Sequence, residues 1–237
     1  MLERARAAGI ERILVPGWDL PSSEAALELA ERHGSIIDAA VGVHPHHAAE
    51  LDEPGWQHLA ALAGDPRASA VGEIGLDYFR NLSPPDVQRE ALARQLGIAA
   101  DAGLPVLVHD RDAHDDVTDA LLAWPGPAGR AVRGVLHAFS GDAAMASRLG
   151  EAGFLVSFAL PVAFRSAVGP RSAVPGLADG SFLVETDAPY LGPDRDRRNE
   201  PVTVLRVLAE LAALRELPVE SLVAPVRKAY ERLIPHA

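Results

Sequence analysis

Short apolar segments that end in a histidine or an acidic residue are the feature of this sequence that most constrains its fold. They alternate with stretches of helical periodicity, and their apolar character is continuous rather than alternating. Strands of this kind are typical of a parallel sheet that helices cover on both faces. We count seven strands, which begin near residues 13, 38, 71, 105, 134, 154 and 182.

The polar residues at these strand ends distinguish between two α/β folds. In a TIM barrel the active site lies at the C-terminal ends of the strands, so repeated polar strand ends favour that fold. A doubly wound open sheet is the alternative, but it usually gathers its chemistry at one switch point. The segment Gly72-Glu73-Ile74-Gly75 does not match the glycine-rich dinucleotide fingerprint. We therefore expect an α/β fold of the (β/α)8 TIM-barrel type, as a single domain over residues 1–237.

The start of the chain departs from that fold. Residues 2–8 have the pattern of a helix closed by Gly9, whereas a barrel of this type opens on a strand. We therefore expect the first strand to be absent, so that seven remain. The simplest hypothesis is a misassigned start codon or an N-terminal truncation. The strands near residues 13 and 182 would then be unpaired edges, which invite pairing with another chain.

Local signals set the expected helix boundaries. A serine in the segment Pro21-Ser22-Ser23-Glu24 is expected to be the N-cap of the helix that follows. Gly103 is expected to close a helix over residues 87–102, because glycine readily adopts the left-handed conformation at a helix end.

Composition bounds the classes of function. A hydrophobic content of 48% with 23% charged residues is that of a soluble globular protein. We find neither an apolar run near the roughly 18 residues of a membrane span nor a secretory signal. The chain has no cysteine, which excludes disulfides and thiolate metal sites and fits a cytoplasmic protein. The net charge of −11 argues against a broad duplex-DNA surface, but it leaves a local, cation-bearing site open.

Imidazoles and carboxylates collect at the predicted strand ends. Taken alone, a histidine there is more often a hydrogen-bonded core or loop residue, and an aspartate is usually a turn or capping residue. Together, and without cysteine, they suit Zn²⁺, Mn²⁺ or another borderline cation, and a carboxylate can bridge two cations. The pattern therefore predicts a metal-dependent hydrolase. The residues concerned are His44, His46, Glu73, Asp77, His109, Arg111, His137, Glu185 and Asp187.

Several longer motifs resemble the TatD family of metal-dependent deoxyribonucleases, in the family's order and spacing from about residue 10 onward. They are GVHPHHA (42–48), VGEIGLDYFRNLSPPDVQ (71–88), PVLVHDRDAHDD (105–116), VLHAFSG (135–141) and LVETDAPYLGP (183–193) followed by RNEP (198–201). The resemblance implies a TIM barrel with one or two metal ions that hydrolyses phosphodiester bonds, often at 3′ ends of DNA.

The resemblance also implies roles for individual residues. Glu73 would be the shared carboxylate, and His109 and His137 would hold one metal ion. Asp187 would bind the other ion and orient or deprotonate the attacking water. His44 or His46 would stand near the substrate phosphate.

Further residues are expected to support that site. Strand alternation directs Glu185 opposite to its neighbour Thr186, and we expect Glu185 to form a salt bridge or brace a ligand. Asp77 is expected to orient a loop or a ligand. Tyr78 and Arg111 are candidates for phosphate or base contacts, with packing as the equal alternative.

The loop after Asp187 carries the one basic cluster of the sequence, Arg195, Arg197 and Arg198. These arginines are expected either to meet a phosphate backbone or to pair with Asp194, Asp196 and Glu200. Asn199 is expected to cap the following helix.

The resemblance is incomplete at the N-terminus. Family members usually open with a strand that carries a D-x-H-x-H-type motif, whose two histidines complete the first metal site. This sequence has no such segment. The missing motif would therefore lie on the missing first strand.

Three functions compete on this evidence. The first is a nuclease that acts on single-stranded or frayed ends of DNA, or on RNA, and that uses one or two Mg²⁺, Mn²⁺ or Zn²⁺ ions. It is expected to be a monomer without a membrane partner. Mg²⁺ rests on the resemblance, because histidine ligands suit Mn²⁺ or Zn²⁺ better. The second is another amidohydrolase-like barrel that cleaves small esters or amides. Such barrels typically use a bridging lysine, and the only lysine here is Lys228. The third is a truncated remnant that binds nucleic acid or a partner without turnover.

Overall fold

The computed structural model describes residues 1–194, 196 and 198–235. In this part of the chain seven strands form one sheet in the order β1-β2-β3-β4-β5-β6-β7. The strands are β1 Ile13–Pro16, β2 Ile37–Val41, β3 Ala68–Asp77, β4 Val106–Arg111, β5 Gly134–Leu136, β6 Phe154–Phe158 and β7 Phe182–Val184. The sheet order follows the chain order without reversal, as in a TIM barrel and unlike a doubly wound sheet. The predicted fold class and strand number are confirmed.

Helices separate the strands along the chain. The α-helices are α1 Leu2–Ala7, α2 Leu20–His33, α3 Glu53–Ala63, α4 Pro85–Ala102, α5 His114–Ala123, α6 Ala143–Glu151, α7 Val168–Ala173, α8 Val204–Leu214 and α9 Glu220–Leu233. Short 3₁₀ helices span Pro45–Glu50, Leu160–Ala163, Val174–Gly176 and Pro201–Thr203. Among the described residues, none of these helices combines the length and the apolar character that a membrane crossing requires.

The chain divides into two compact units, and the single-domain organisation stays a prediction. The first unit is Arg12–Val135, and the second consists of Met1–Glu11 with Leu136–Ala237. In the first unit β2 is buried along its whole length, as expected for a strand covered on both faces. The pairs β1–β2, β2–β3 and β3–β4 are all parallel. A buried Asp38 in β2 is neutralised by Arg12, which donates two hydrogen bonds to its carboxylate.

The start of α2 corrects one expectation. Its N-cap is Asp19, whose side chain accepts the N–H of Ser22, while the Ser22 hydroxyl in turn accepts the N–H of Asp19. The predicted serine N-cap is therefore wrong, because Ser22 occupies the third helical position of a capping box. The end of α4 agrees with expectation, since Gly103 closes it with φ +70°.

The second unit packs apolar side chains from β6 and β7 with residues of α8 and α9. Phe154, Phe158 and Phe182 are fully buried, as are Leu211 of α8 and Leu233 of α9. Strands β6 and β7 are parallel. Arg4 of α1 pairs with Glu200 at 2.7 Å, which ties the first helix to the segment before α8.

Candidate metal centre

Three side chains from neighbouring strands of the first unit converge at one point. His44 follows β2, Glu73 lies in β3 and His109 lies in β4. Each offers a ligand atom within 4.8 Å of the other two, so the three could hold a metal ion. Glu73 Oε1 lies 2.9 Å from His109 Nδ1 and 3.3 Å from His44 Nε2. We call His44, Glu73 and His109 the triad.

Glycines bring the three strand backbones close enough to form the triad. A Cβ at Gly75, which has φ +141°, would lie 1.9 Å from the carbonyl oxygen of His109. A Cβ at Gly72 would lie 2.5 Å from the Cβ of Leu107, and one at Gly42 would lie 2.7 Å from the carbonyl carbon of Gly72. Real Cβ atoms do not approach so closely, so a side chain at any of these positions would push the backbones apart. The glycines of the VGEIG segment thus set the spacing of Glu73 and His109.

The backbone and the ring of His44 are both held in place. Its N–H donates to the carbonyl of Trp18 at 2.9 Å, and its Nδ1 accepts the N–H of His46 at 3.1 Å. Burial lowers the pKa of His44, an effect that the neighbouring Glu73 carboxylate only partly opposes. The imidazole is therefore neutral near pH 7, which is the form that binds metals.

The carboxylate of Asp77 contacts two histidines, His46 and His109 of the triad. Its buried carboxylate lies 2.7 Å from His46 Nε2 and 3.4 Å from His109 Nε2, and it accepts the N–H of Arg80 at 2.7 Å. Burial raises the pKa of Asp77, but hydrogen bonds from His109, from the Arg80 N–H and from His46 outweigh that effect. Together they hold the pKa well below its usual range. Asp77 is thus an anion that contacts two imidazoles.

Two buried glutamines of α4 hold the backbone beside the triad, and sequence reasoning missed both. Gln88 accepts the N–H of Asp77 at 2.8 Å and donates to its carbonyl at 3.1 Å. Gln95 accepts the N–H of Val43 at 2.8 Å and donates to its carbonyl at 3.0 Å. Their spacing of seven residues, which places both on one face of a helix, was the available signal. They fix the segments that follow β2 and end β3.

Two of the predicted substrate contacts, Tyr78 and Arg111, lie at the ends of β3 and β4. The Tyr78 hydroxyl donates to Asp116 at 2.6 Å and accepts from Arg89 at 3.1 Å, so it is engaged with neighbouring side chains. The guanidinium of Arg111 lies 4.2 Å from the ring centroid of Phe79. Phe79 was not among the predicted site residues.

A separate group of predicted residues lies in the second unit. His137 Nδ1 is 3.1 Å from Glu185 Oε1, and the N–H of Ala138 donates to the same oxygen at 3.0 Å. Strand alternation does not set the direction of Glu185, because β7 ends at Val184 and Asp187 has φ +55°. Glu185 is therefore directed by its contacts with His137 and Ala138.

The loop after Asp187 is organised by Asn199. Its side-chain amide donates to the carbonyls of Thr186 and Tyr190, both at 2.7 Å. The expected helix-capping role is wrong, because α8 begins after Thr203 and Asn199 instead braces the loop. Arg198 is exposed, and Glu200, one of the acids expected to pair with the arginines, contacts Arg4. Arg195 and Arg197 lie outside the described residues.

His44 lies among the candidate ligands, a place that the sequence did not predict for it, while His46 contacts Asp77. The expectation that His44 or His46 stands near the substrate phosphate stays a prediction. The structure thus groups His44, His46, Glu73, Asp77 and His109. A site that also includes His137 and Asp187 stays a prediction. The one lysine, Lys228, lies in α9.

The triad fits a divalent cation by the chemistry of its donors. Two imidazoles and one carboxylate, without sulfur, are the ligands that Zn²⁺, Mn²⁺ and similar borderline ions accept. The His44 ring is neutral near pH 7, and Asp77 braces His109 as carboxylates commonly brace metal-binding histidines. The residues present are therefore suited to a metal ion.

Comparisons with known proteins identify the family of this chain. A family model described as TatD related DNase matches residues 1–235. The chain is 36% identical to an uncharacterized metal-dependent hydrolase, YabD, of Bacillus subtilis, over 98% of this chain and 91% of the relative. It is 37% identical to the 3′-5′ ssDNA/RNA exonuclease TatD of Enterobacter lignolyticus, over 90% and 83% of the two chains. The crystal structure of YjjV, a TatD homolog from Escherichia coli, has a TM-score of 0.90 at 29% identity and covers 100% of this chain and 91% of that one. The chain therefore belongs to the family of TatD-related DNases, which are metal-dependent hydrolases.

Proposed function

We propose that this protein is a metal-dependent nuclease that hydrolyses phosphodiester bonds of DNA or RNA from single-stranded or frayed 3′ ends. The observation that carries the proposal is the triad, in a chain of a family whose members include enzymes named 3′-5′ ssDNA/RNA exonucleases. Bound in such a site, a divalent cation supplies Lewis acidity toward water and phosphate oxygens. Mn²⁺ and Zn²⁺ match the imidazole donors better than Mg²⁺ does.

The protein's own groups have distinct tasks in this proposal. Glu73 holds both imidazoles of the triad through one carboxylate oxygen, and Asp77 fixes the ring of His109 from its other nitrogen. His46 is proposed to face the substrate phosphate, together with Arg111 and the exposed Arg198. Tyr78 is proposed to assist through its hydroxyl.

Two residues of the second unit complete the proposal. The carboxylate of Asp187 is proposed to orient the attacking water and accept its proton, because a carboxylate can serve as a general base. His137 is proposed as a further ligand, with Glu185 fixing its ring through the contact at Nδ1.

The experiment is digestion of 3′-labelled and 5′-labelled single strands of DNA and RNA with Mn²⁺ or Mg²⁺. Glu73→Gln is expected to lose at least about 100-fold in kcat/KM, because the shared anion is removed while the shape is kept, in line with the cost of losing a major transition-state interaction. The matched control is Glu90→Gln, a substitution of an exposed residue of α4. Activity that survives Glu73→Gln unchanged would refute the proposal, as would activity that is indifferent to chelation by EDTA.

A further inference from the structure

Two large aromatic side chains are exposed on segments that adjoin the triad, Trp18 after β1 and Phe79 after β3. Trp18 is 52% exposed and Phe79 is 60% exposed, whereas the other tryptophans, Trp56 and Trp124, are buried. Single exposed apolar residues are common on protein surfaces and need no explanation by themselves. These two are distinguished by how they are anchored.

The backbone of Trp18 is fixed between two triad residues. Its carbonyl accepts the N–H of His44 at 2.9 Å, and the carbonyl of the preceding Gly17 accepts the N–H of Glu73 at 2.8 Å. On its other side the Trp18 N–H donates to the hydroxyl of Ser22 at 2.9 Å. The indole is therefore presented to solvent from a rigid position directly beside the candidate metal centre.

Phe79 is placed by β3 and β4. Arg111, whose guanidinium lies 4.2 Å from the Phe79 ring centroid, follows His109 by two residues in β4. Alternation puts the side chains of His109 and Arg111 on the same side of the sheet, roughly 7 Å apart along the strand. The Phe79–Arg111 pair therefore lies one two-residue strand repeat beyond His109. It combines an aromatic face with a positive charge.

We propose that Trp18 and the Phe79–Arg111 pair stack unpaired bases of a single-stranded nucleic acid on either side of the triad. The proposal rests on the nuclease function above and specifies how that nuclease recognises its substrate. Aromatic rings are stacking platforms for any base, since every base has a π-face, and arginine adds a cation–π contribution.

The charge of the molecule supports stacking over phosphate attraction. With 33 acidic against 22 basic residues, the protein as a whole repels a polyanion. Affinity for nucleic acid must then come largely from contacts that do not depend on charge. Stacking also favours single strands, because the bases of a duplex already stack on one another and are not available to a protein side chain.

The test uses two oligonucleotides of equal length, one of thymidines and one of abasic residues with the same phosphate backbone. Binding is followed in EDTA by tryptophan fluorescence, and KM and kcat are measured with Mn²⁺. The thymidine strand is expected to quench the fluorescence of the wild type and not that of Trp18→Phe, because Trp18 is the exposed tryptophan of the three. Phe79→Ala and Phe79→Leu are both expected to raise Kd and KM for the thymidine strand by about 5-fold or more, with kcat within about twofold. The leucine variant keeps an apolar side chain against Arg111, so it separates the loss of stacking from a loss of folding.

The matched control is Phe164→Ala, which removes a phenylalanine that is 59% exposed in the second unit. It is expected to leave Kd and KM within about twofold of the wild type. Wild-type cleavage with equal affinity for both strands, or Phe79 variants that weaken both strands equally, would overturn the stacking proposal and leave the nuclease proposal standing. A wild type that neither binds nor cleaves either strand would overturn both.

Discussion

At the residue scale, a single oxygen of Glu73 lies at the centre of the candidate site. Both triad imidazoles approach that oxygen, while the second nitrogen of His109 turns to Asp77. His109 is therefore held between two carboxylates, one of which is a candidate ligand and the other a buried anion. The ring cannot rotate without losing a contact on one side or the other.

This arrangement predicts the effect of Asp77→Asn on metal binding. The amide keeps the size of the carboxylate but removes the charge that braces His109, so the affinity for Mn²⁺ is expected to fall about 10- to 100-fold. Isothermal titration calorimetry measures the change. Asp101→Asn, an exposed aspartate of α4, is the control and is expected to bind Mn²⁺ as the wild type does. Equal affinities for the Asp77→Asn variant and the wild type would show that Asp77 does not brace the ligand.

At the element scale, helix α4 does more than cover the sheet. Gln88 and Gln95 lie on its buried face and bond both polar groups of Asp77 and of Val43, respectively. These backbone groups belong to the segments that deliver Asp77 and His44. The helix therefore supports the candidate site with hydrogen bonds as well as with apolar contacts.

Gln95→Leu is expected to lower the free energy of unfolding by about 1–3 kcal/mol, because the N–H and carbonyl of Val43 would be buried without partners. The affinity for Mn²⁺ should fall as well, since His44 follows Val43 directly. Urea unfolding and calorimetry measure the two effects. Gln57→Leu, at an exposed position of α3, should change the stability by less than about 0.5 kcal/mol. A Gln95→Leu variant as stable as the wild type would mean that the Val43 groups find other partners.

The contrast between the predicted strands and the missed glutamines shows what a sequence reveals at this scale. Strands β5, β6 and β7 begin at the predicted residues 134, 154 and 182, because a short apolar run between glycine, proline and polar residues is a local signal. The role of Gln95 depends on a backbone 52 residues away, and no local pattern records it. Asn199 and Ser22 were misassigned because each has a side chain that can cap a helix. Asp19 caps α2 in place of Ser22, and contacts with Thr186 and Tyr190 engage Asn199.

At the scale of the whole molecule, the charge and the family together shape the expected substrate binding. The strand-end histidines and acids, together with the motifs, were sufficient to predict the family and the fold class. They did not place His44 among the candidate ligands, because the turn between β2 and its 3₁₀ helix sets the direction of that ring. The sequence also did not predict that Trp18 and Phe79 are exposed, because large hydrophobic side chains are expected in the core.

The net charge of −11 predicts a weak dependence of binding on salt. If about two phosphates are neutralised, the slope of log Kobs against log salt concentration for a single strand is expected to be about −1.4. Fluorescence titrations at salt concentrations from about 50 to about 300 mM measure this slope. A slope of −4 or steeper would correspond to roughly six phosphate contacts and would contradict recognition by stacking.

The close approach of Gly42, Gly72 and Gly75 to neighbouring chain segments has a consequence for the choice of ion. At these points little more than main-chain atoms separate one strand from the next, and that contact fixes the distance between Glu73 and His109. Rotamer changes elsewhere therefore leave the spacing of these backbones unchanged. Among cations of equal charge, such a site selects by ionic radius.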